Sequence, residues 1–145
     1  MEETMELALA LAREAFDHGE VPVGCVILHE GRVIGRGRNR REEKKSALSH
    51  AETEAIAQAC AALGDWRLSD CSLYVTLEPC PMCAGAIYNA RIPQVVFGAR
   101  DPRMGAMGSV FDLFYEPLGF RPQVRGGVLE QACSELLSQF FKDLR

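Results

Sequence analysis

Apolar residues recur at helical spacing near both ends of the chain and in short strand-like runs between them. Met5, Leu9, Ala12 and Phe16 share one face of a helix predicted over Thr4–His18, which Gly19 stops. Val23–His29 is a short apolar strand, Glu30-Gly31 a turn and Arg32–Gly37 a second strand, the pattern of a hairpin. Arg40–Ala47 is polar and unpatterned and reads as a loop, and Ser49 is a candidate N-cap for a helix from His50 to about Ala62. Gly64-Asp65 breaks that helix, and Trp66–Leu68 reads as a loop packing on the core. Cys71–Leu77 is a continuous apolar, β-rich run, as in a buried strand. Pro79 and Pro81 suit the opening of a helix that Ile92-Pro93 ends, with a strand at Gln94–Gly98 beyond it. Strand, helix and strand at this spacing imply a parallel pair joined by a right-handed crossover. Arg100–Ser109 reads as a loop, Val110–Phe114 as a helical turn and Val124–Val128 as a weak last strand. In Leu129–Leu144 the stripe through Ala132, Leu136 and Phe140 marks an amphipathic helix. The whole, 1–145, reads as one α/β domain of three layers, with a mixed five-stranded sheet covered by helices on both faces.

The composition is that of an ordinary globular chain, with 48% hydrophobic and 25% charged residues. The acidic start, Glu2, Glu3 and Glu6, is not that of a secretory leader, and no apolar run approaches the roughly 20 residues of a membrane span. A cytoplasmic protein without a membrane partner is expected. In such a setting six cysteines point to metal spacing rather than to a disulfide scaffold, with Cys25, Cys60, Cys71 and Cys133 read as small hydrophobes. A net charge of −4 argues against gross electrostatic capture of nucleic acid. The run from Arg32 to Lys45 nevertheless holds seven basic residues against Glu42 and Glu43, either a solvated loop or a phosphate-contacting rim.

Two short stretches carry chemistry: His50-Ala51-Glu52, and thirty residues after His50, Pro79-Cys80-Pro81-Met82-Cys83. One imidazole and two thiolates suit a borderline-soft ion such as zinc. Three protein donors, His50, Cys80 and Cys83, are the count of a catalytic site with an open position, and Glu52 supplies a carboxylate able to move protons beside it. Both donor segments fall at helix starts, beside the sheet edge, where the positive helix end favours thiolate. A structural zinc module would need a fourth ligand, with Cys71 the nearest spare thiol.

The His-x-Glu and Pro-Cys-x-x-Cys motifs resemble those of the cytidine/nucleobase deaminase superfamily. Val21-Pro22-Val23-Gly24, Gly37-Arg38-Asn39-Arg40, Tyr74–Cys80, Val96–Asp101 and Phe140-Phe141 narrow the resemblance to the bacterial tRNA-specific adenosine deaminases, across nearly the whole chain. That resemblance implies a cytidine-deaminase-like fold, one zinc per subunit and hydrolytic conversion of adenosine to inosine at the wobble position of a tRNA anticodon loop, of the arginine type. It implies Glu52 as the proton carrier, Val21 and Leu77 sandwiching the base, and Asn39 orienting it, although an asparagine there also suits a turn cap. It further implies Asp101 near the nucleoside backbone, Arg103 near phosphate, and a homodimer that contacts tRNA from both subunits. Phe140 and Phe141 either pack in the core or flank bases. The chain departs from the family at 117–122, which lacks an expected Asn-His pair, and at Thr53, where an aliphatic residue is expected. It also ends at Arg145 without the basic tail many members carry. A deaminase of free guanine, adenine or cytosine is the alternative.

Overall fold

The computed structural model describes residues 1–144. Helix α1 (Glu2–Asp17) leads into the hairpin of β1 (Gly24–His29) and β2 (Arg32–Arg38), then into the single-turn α2 (Arg41–Lys44) and α3 (Ala51–Leu63). The crossover unit is β3 (Cys71–Leu77), α4 (Pro81–Ala90) and β4 (Gln94–Ala99). A 3-10 turn at Leu113–Tyr115, β5 (Gln123–Arg125) and α5 (Glu130–Asp143) follow.

The sheet runs β2-β1-β3-β4-β5, with β1 antiparallel to β2 and β3, while β4 is parallel to both β3 and β5. A two-residue turn can join only antiparallel strands, whereas α4 carries the chain back for a parallel one. Side chains alternate across the sheet, so Cys25, Ile27, Val75 and Phe97 pack with Ala55 of α3 and Ile87 of α4. Their neighbours Val26, Tyr74 and Val96 face Met5 and Leu9 of α1 and Cys133 of α5. The layers are therefore α3/α4, sheet, and α1/α5, the three-layer mixed architecture expected. No helix among the described residues is long and apolar enough to cross a membrane.

Local boundaries differ from the sequence reading for identifiable reasons. His50, not Ser49, is the N-cap of α3; its N–H donates to Thr53 Oγ1 at 3.1 Å. An aliphatic residue at position 53 could not make that bond. Part of the stretch read as a loop is α2, because Glu20, only 2% exposed, accepts the Glu42 and Glu43 N–H groups at 3.1 and 2.7 Å. First-turn donors that would otherwise lack partners are thereby satisfied. Leu68 is fully buried as expected, but Trp66 is mostly exposed. The turn placed at Val110–Phe114 forms instead at Leu113–Tyr115, where the Asp112 carboxylate accepts the Phe114 N–H at 3.0 Å. The last strand covers three residues rather than Val124–Val128, since Gly127 turns the backbone to φ 88° and ends the extended run.

Candidate active site

The site forms at the C-terminal end of β3, the middle strand of the sheet, rather than beside an edge strand. Glu78 and Pro79 carry the chain out of β3, Cys80 becomes the N-cap of α4, and Pro81 takes the first helical position. A proline costs nothing there, because that N–H has no helical partner. Cys83 follows three residues later, on the same face of the turn. From across the site α3 begins with His50 as its N-cap and Glu52 in its first turn. Nδ1 of His50 lies 3.6 Å from Cys80 Sγ and 3.5 Å from Cys83 Sγ. One ligand atom from each of the three falls within 4.8 Å of the others, so this group can hold a metal ion.

The electrostatics of the three donors follow from that crowding. Hydrogen bonding from Cys83, with His50 also nearby, holds the Cys80 thiol at about 4. Hydrogen bonding to Cys80 together with burial pushes Cys83 far above its ordinary range. Without a cation only one of the two sulfurs is favoured as thiolate, because a second would sit beside the first; a metal ion between them would let both ionise, as the two helix ends favour. Two soft anions and an imidazole nitrogen converging on one point call for a cation between them, and a borderline-soft divalent metal fits that donor set. Cys71 is no fourth ligand: it begins β3 while the donors lie past its end, about 20 Å away at the usual rise per strand residue.

Glu52 is only 4% exposed. Burial raises its carboxyl to about 7, with the Cys80 charge adding to the effect. It lines a cavity of about 250 Å3 together with His50 and Cys80. Val21, Leu77, Asn39 and Asp101 also line this cavity. Arg103 does not. It lies in an adjoining groove of about 1030 Å3 that shares Val21, Leu77 and Asp101 with the cavity. Asn39 both lines the cavity and caps a turn, its Nδ2 donating to Val21 O at 3.2 Å and its Oδ1 accepting the Arg41 N–H at 3.1 Å. The Asp101 carboxylate accepts the N–H groups of Arg103 and Met104 at 3.0 and 3.2 Å.

Arg41 and Met104 also line the cavity, and the sequence reading did not single them out. Neither belongs to a spaced motif; only their place among the seven basic residues and in the glycine-rich loop marked them. The basic run is partly paired within the chain: five of its seven residues share three carboxylates, Glu42, Glu43 and Glu54, while Arg32 and Arg36 have no ion pair among the described residues. Arg38 and Arg40 meet Glu43 at 2.9 and 2.5 Å, and Lys44 meets Glu54 at 2.9 Å. It is thus a partly self-paired surface, with Arg41 as the member that reaches the cavity and groove. Positive charge also lines the groove, where Arg100, Arg103 and Lys142, which have no ion pair among the described residues, join Arg41 and outnumber Asp101. Phe141 lines that groove and is 44% exposed, whereas Phe140 is buried edge-on against Phe16 with ring centres 5.8 Å apart.

A three-layer mixed sheet with a His/Cys/Cys donor group and a buried glutamate at its middle strand defines a hydrolytic deaminase of the cytidine deaminase superfamily. The chain belongs to the MafB19-like deaminase family, whose profile matches residues 1–145. It is 46% identical over 142 residues to the tRNA-specific adenosine deaminase of Bacillus subtilis, covering 97% of this chain and 88% of that one. A solved structure from work on A-to-I editing by tRNA:A34 deaminases at the wobble position superposes with a TM-score of 0.91. It is 45% identical, over 94% of this chain and 99% of its own. The guanine deaminase of Bacillus subtilis is 41% identical with a TM-score of 0.66, over 69% of this chain and 64% of that one.

Proposed function

We propose that this chain is a zinc-dependent deaminase that converts adenosine to inosine at the wobble position of a tRNA anticodon loop. The observation that carries the reading is the buried Glu52 carboxyl, held near neutrality at the floor of a base-sized cavity beside the three metal donors. His50 Nδ1 and the sulfurs of Cys80 and Cys83 hold one zinc per chain. Zinc held there supplies Lewis acidity, which makes water a nucleophile near neutral pH.

Glu52 takes one proton from the attacking water and passes it to the ring nitrogen next to the carbon bearing the amine. The same carboxyl then moves the remaining hydroxyl proton to the leaving amine, which departs as ammonia and leaves a carbonyl. A group with a pKa near 7 both accepts and releases a proton at neutral pH. Val21 and Leu77 flank the base with apolar surface, Asn39 orients it, and Asp101 supplies a polar group at its sugar side. The groove beyond, with Arg103 and Lys142 for phosphate and the exposed Phe141 ring for stacking, suits the flanking nucleotides of a single strand. A homodimer that contacts tRNA from both subunits is part of this reading, on the resemblance to the tRNA-specific adenosine deaminases.

The test is inosine formation in an adenosine-bearing anticodon stem-loop of an arginine tRNA, beside free adenosine, adenine, guanine and cytidine. Conversion of the stem-loop alone is expected. Conversion of a free base or nucleoside alone would keep the chemistry and overturn the tRNA substrate.

A further inference from the structure

We propose that Glu78 is the positioning residue of this pocket: its carboxylate is the post around which Arg100–Ser109 folds, and it thereby sets where Asp101 and Met104 meet the substrate. This rests on reading the cavity as the adenosine pocket.

Glu78 is 2% exposed, and no ion pair to it occurs among the described residues. Its charge is met by the loop alone. Oε1 accepts the Asp101 N–H at 3.1 Å and the Ser109 hydroxyl, and Oε2 accepts the N–H groups of Met107 and Ser109 at 3.0 and 3.1 Å. Ala106 N–H donates to the next carbonyl, that of Pro79, at 2.9 Å. The loop closes without slack, for a Cβ on Gly105 would come within 2.5 Å of the Glu78 carboxylate and of Asp101 O. Glu78 itself lines the cavity, but with both oxygens so occupied it has no lone pair directed at a reacting atom, and its effect reaches the substrate through the loop. Asp101 carries that effect to the cavity, since its own carboxylate then fixes the N–H groups of Arg103 and Met104.

Every partner of Glu78 is a donor, so only an anion satisfies all four. Glutamine has the same shape, but whichever way its amide is turned, an NH2 group faces N–H or O–H donors on one side. At least one loop N–H then loses its acceptor without any change in volume.

The experiment compares Glu78→Gln, Gly105→Ala and the wild type as full-length, zinc-loaded chains. It reads amide hydrogen exchange, zinc content, and steady-state kinetics on the anticodon stem-loop. In both variants the amides of Asp101, Met107 and Ser109 should exchange about tenfold faster or more, with α4 amides unchanged and zinc retained. KM should rise about tenfold and kcat fall by less than about threefold, because binding is lost rather than chemistry. Unchanged exchange in the loop overturns the proposal, as does faster exchange with an unaltered KM. Faster exchange throughout the chain with loss of zinc in both variants also overturns it, since Glu78 would then hold the fold rather than the loop. A wild type inactive on the stem-loop refutes the substrate reading, and the exchange data alone then decide for or against Glu78.

Discussion

Gly37 on β2 and Ala51 at the start of α3 approach so closely that a Cβ on Gly37 would lie 2.1 Å from the Ala51 carbonyl oxygen. Ala51 stands between His50 and Glu52, so this contact fixes the height of both side chains above the sheet. Gly37→Ala is expected to cost about 1–3 kcal/mol through overpacking. It should also lower metal occupancy, because α3 must shift and take His50 with it. Denaturant unfolding and metal analysis measure both; a variant as stable and as fully metallated as the wild type would remove this contact from the design of the site.

Glu52→Gln keeps the side-chain volume and removes the proton carrier. Bound zinc should stay at one per chain while inosine formation falls by about 10²–10⁴-fold, the usual worth of general acid–base catalysis. Retained turnover would take Glu52 out of its role.

Cys83 is fully buried and its sulfur faces His50 Nδ1 at 3.5 Å. Cys83→Ala should lose the metal and the stability that metal binding lends, about 4 kcal/mol when free metal stands a thousandfold above its Kd. A chelator should lower the Tm of the wild type and leave that of the variant unchanged. Equal shifts in both would mean that the donor set is wrong.

Hydrogen bonds from Arg40 and then Arg38 hold the exposed Glu43 carboxyl at about 2, down from its ordinary 4.5. A lowered folded-state value stabilises above the ordinary value, and the gain is lost as pH falls through the folded one. The Tm difference between the wild type and Glu43→Gln should therefore be largest near pH ~6 and shrink steadily between about 4.5 and 2. Added salt should reduce it at the upper end, since the pair is solvent-screened. A difference that is constant across this window would show that the Arg38–Glu43–Arg40 group contributes no pH-linked stability.

Arg103 stands in the groove rather than the cavity. Arg103→Ala should weaken stem-loop binding alike for different flanking sequences and flatten the slope of log K against log salt by about 0.7–1. Loss of binding confined to one sequence would make Arg103 a base reader instead of a phosphate contact.

How far the molecule could be read from its sequence follows from which residues act through local spacing. The strand runs and helix stripes were legible because burial on one or two faces forces a period of 2 or 3.6 on neighbouring residues. The metal donors and Glu52 were legible because helix starts at fixed offsets present them together: Cys80 and Cys83 share one turn, and His50 and Glu52 another. Of the expected cavity residues only Leu77 stands beside a motif; Val21, Asn39 and Asp101 lie well away from both in sequence and were expected from the family resemblance, and all four line the cavity.

What the sequence could not decide depends on partners far along the chain. The basic run could be read as a solvated loop or a phosphate-contacting rim, and that Glu43 and Glu54 pair with Arg38, Arg40 and Lys44 could not be seen from it, because an ion pair such as Lys44–Glu54 leaves no periodic trace. The split of Phe140 into the core and Phe141 into the groove turns on where α5 lies against Phe16, about 120 residues away in sequence. Cys80 and Cys83 crowd one another so that, with no cation between them, one thiol is lowered and the other raised, a competition between neighbouring charges that a motif does not reveal. Glu78 and Met104 gain their places only when Arg100–Ser109 folds back over the end of β3, and Arg41 only when α2 forms against Asn39 and Glu20. Local chemistry thus named the reactive groups, while long-range packing alone determined the walls around them, because a wall is made by segments that meet in space without being close in sequence.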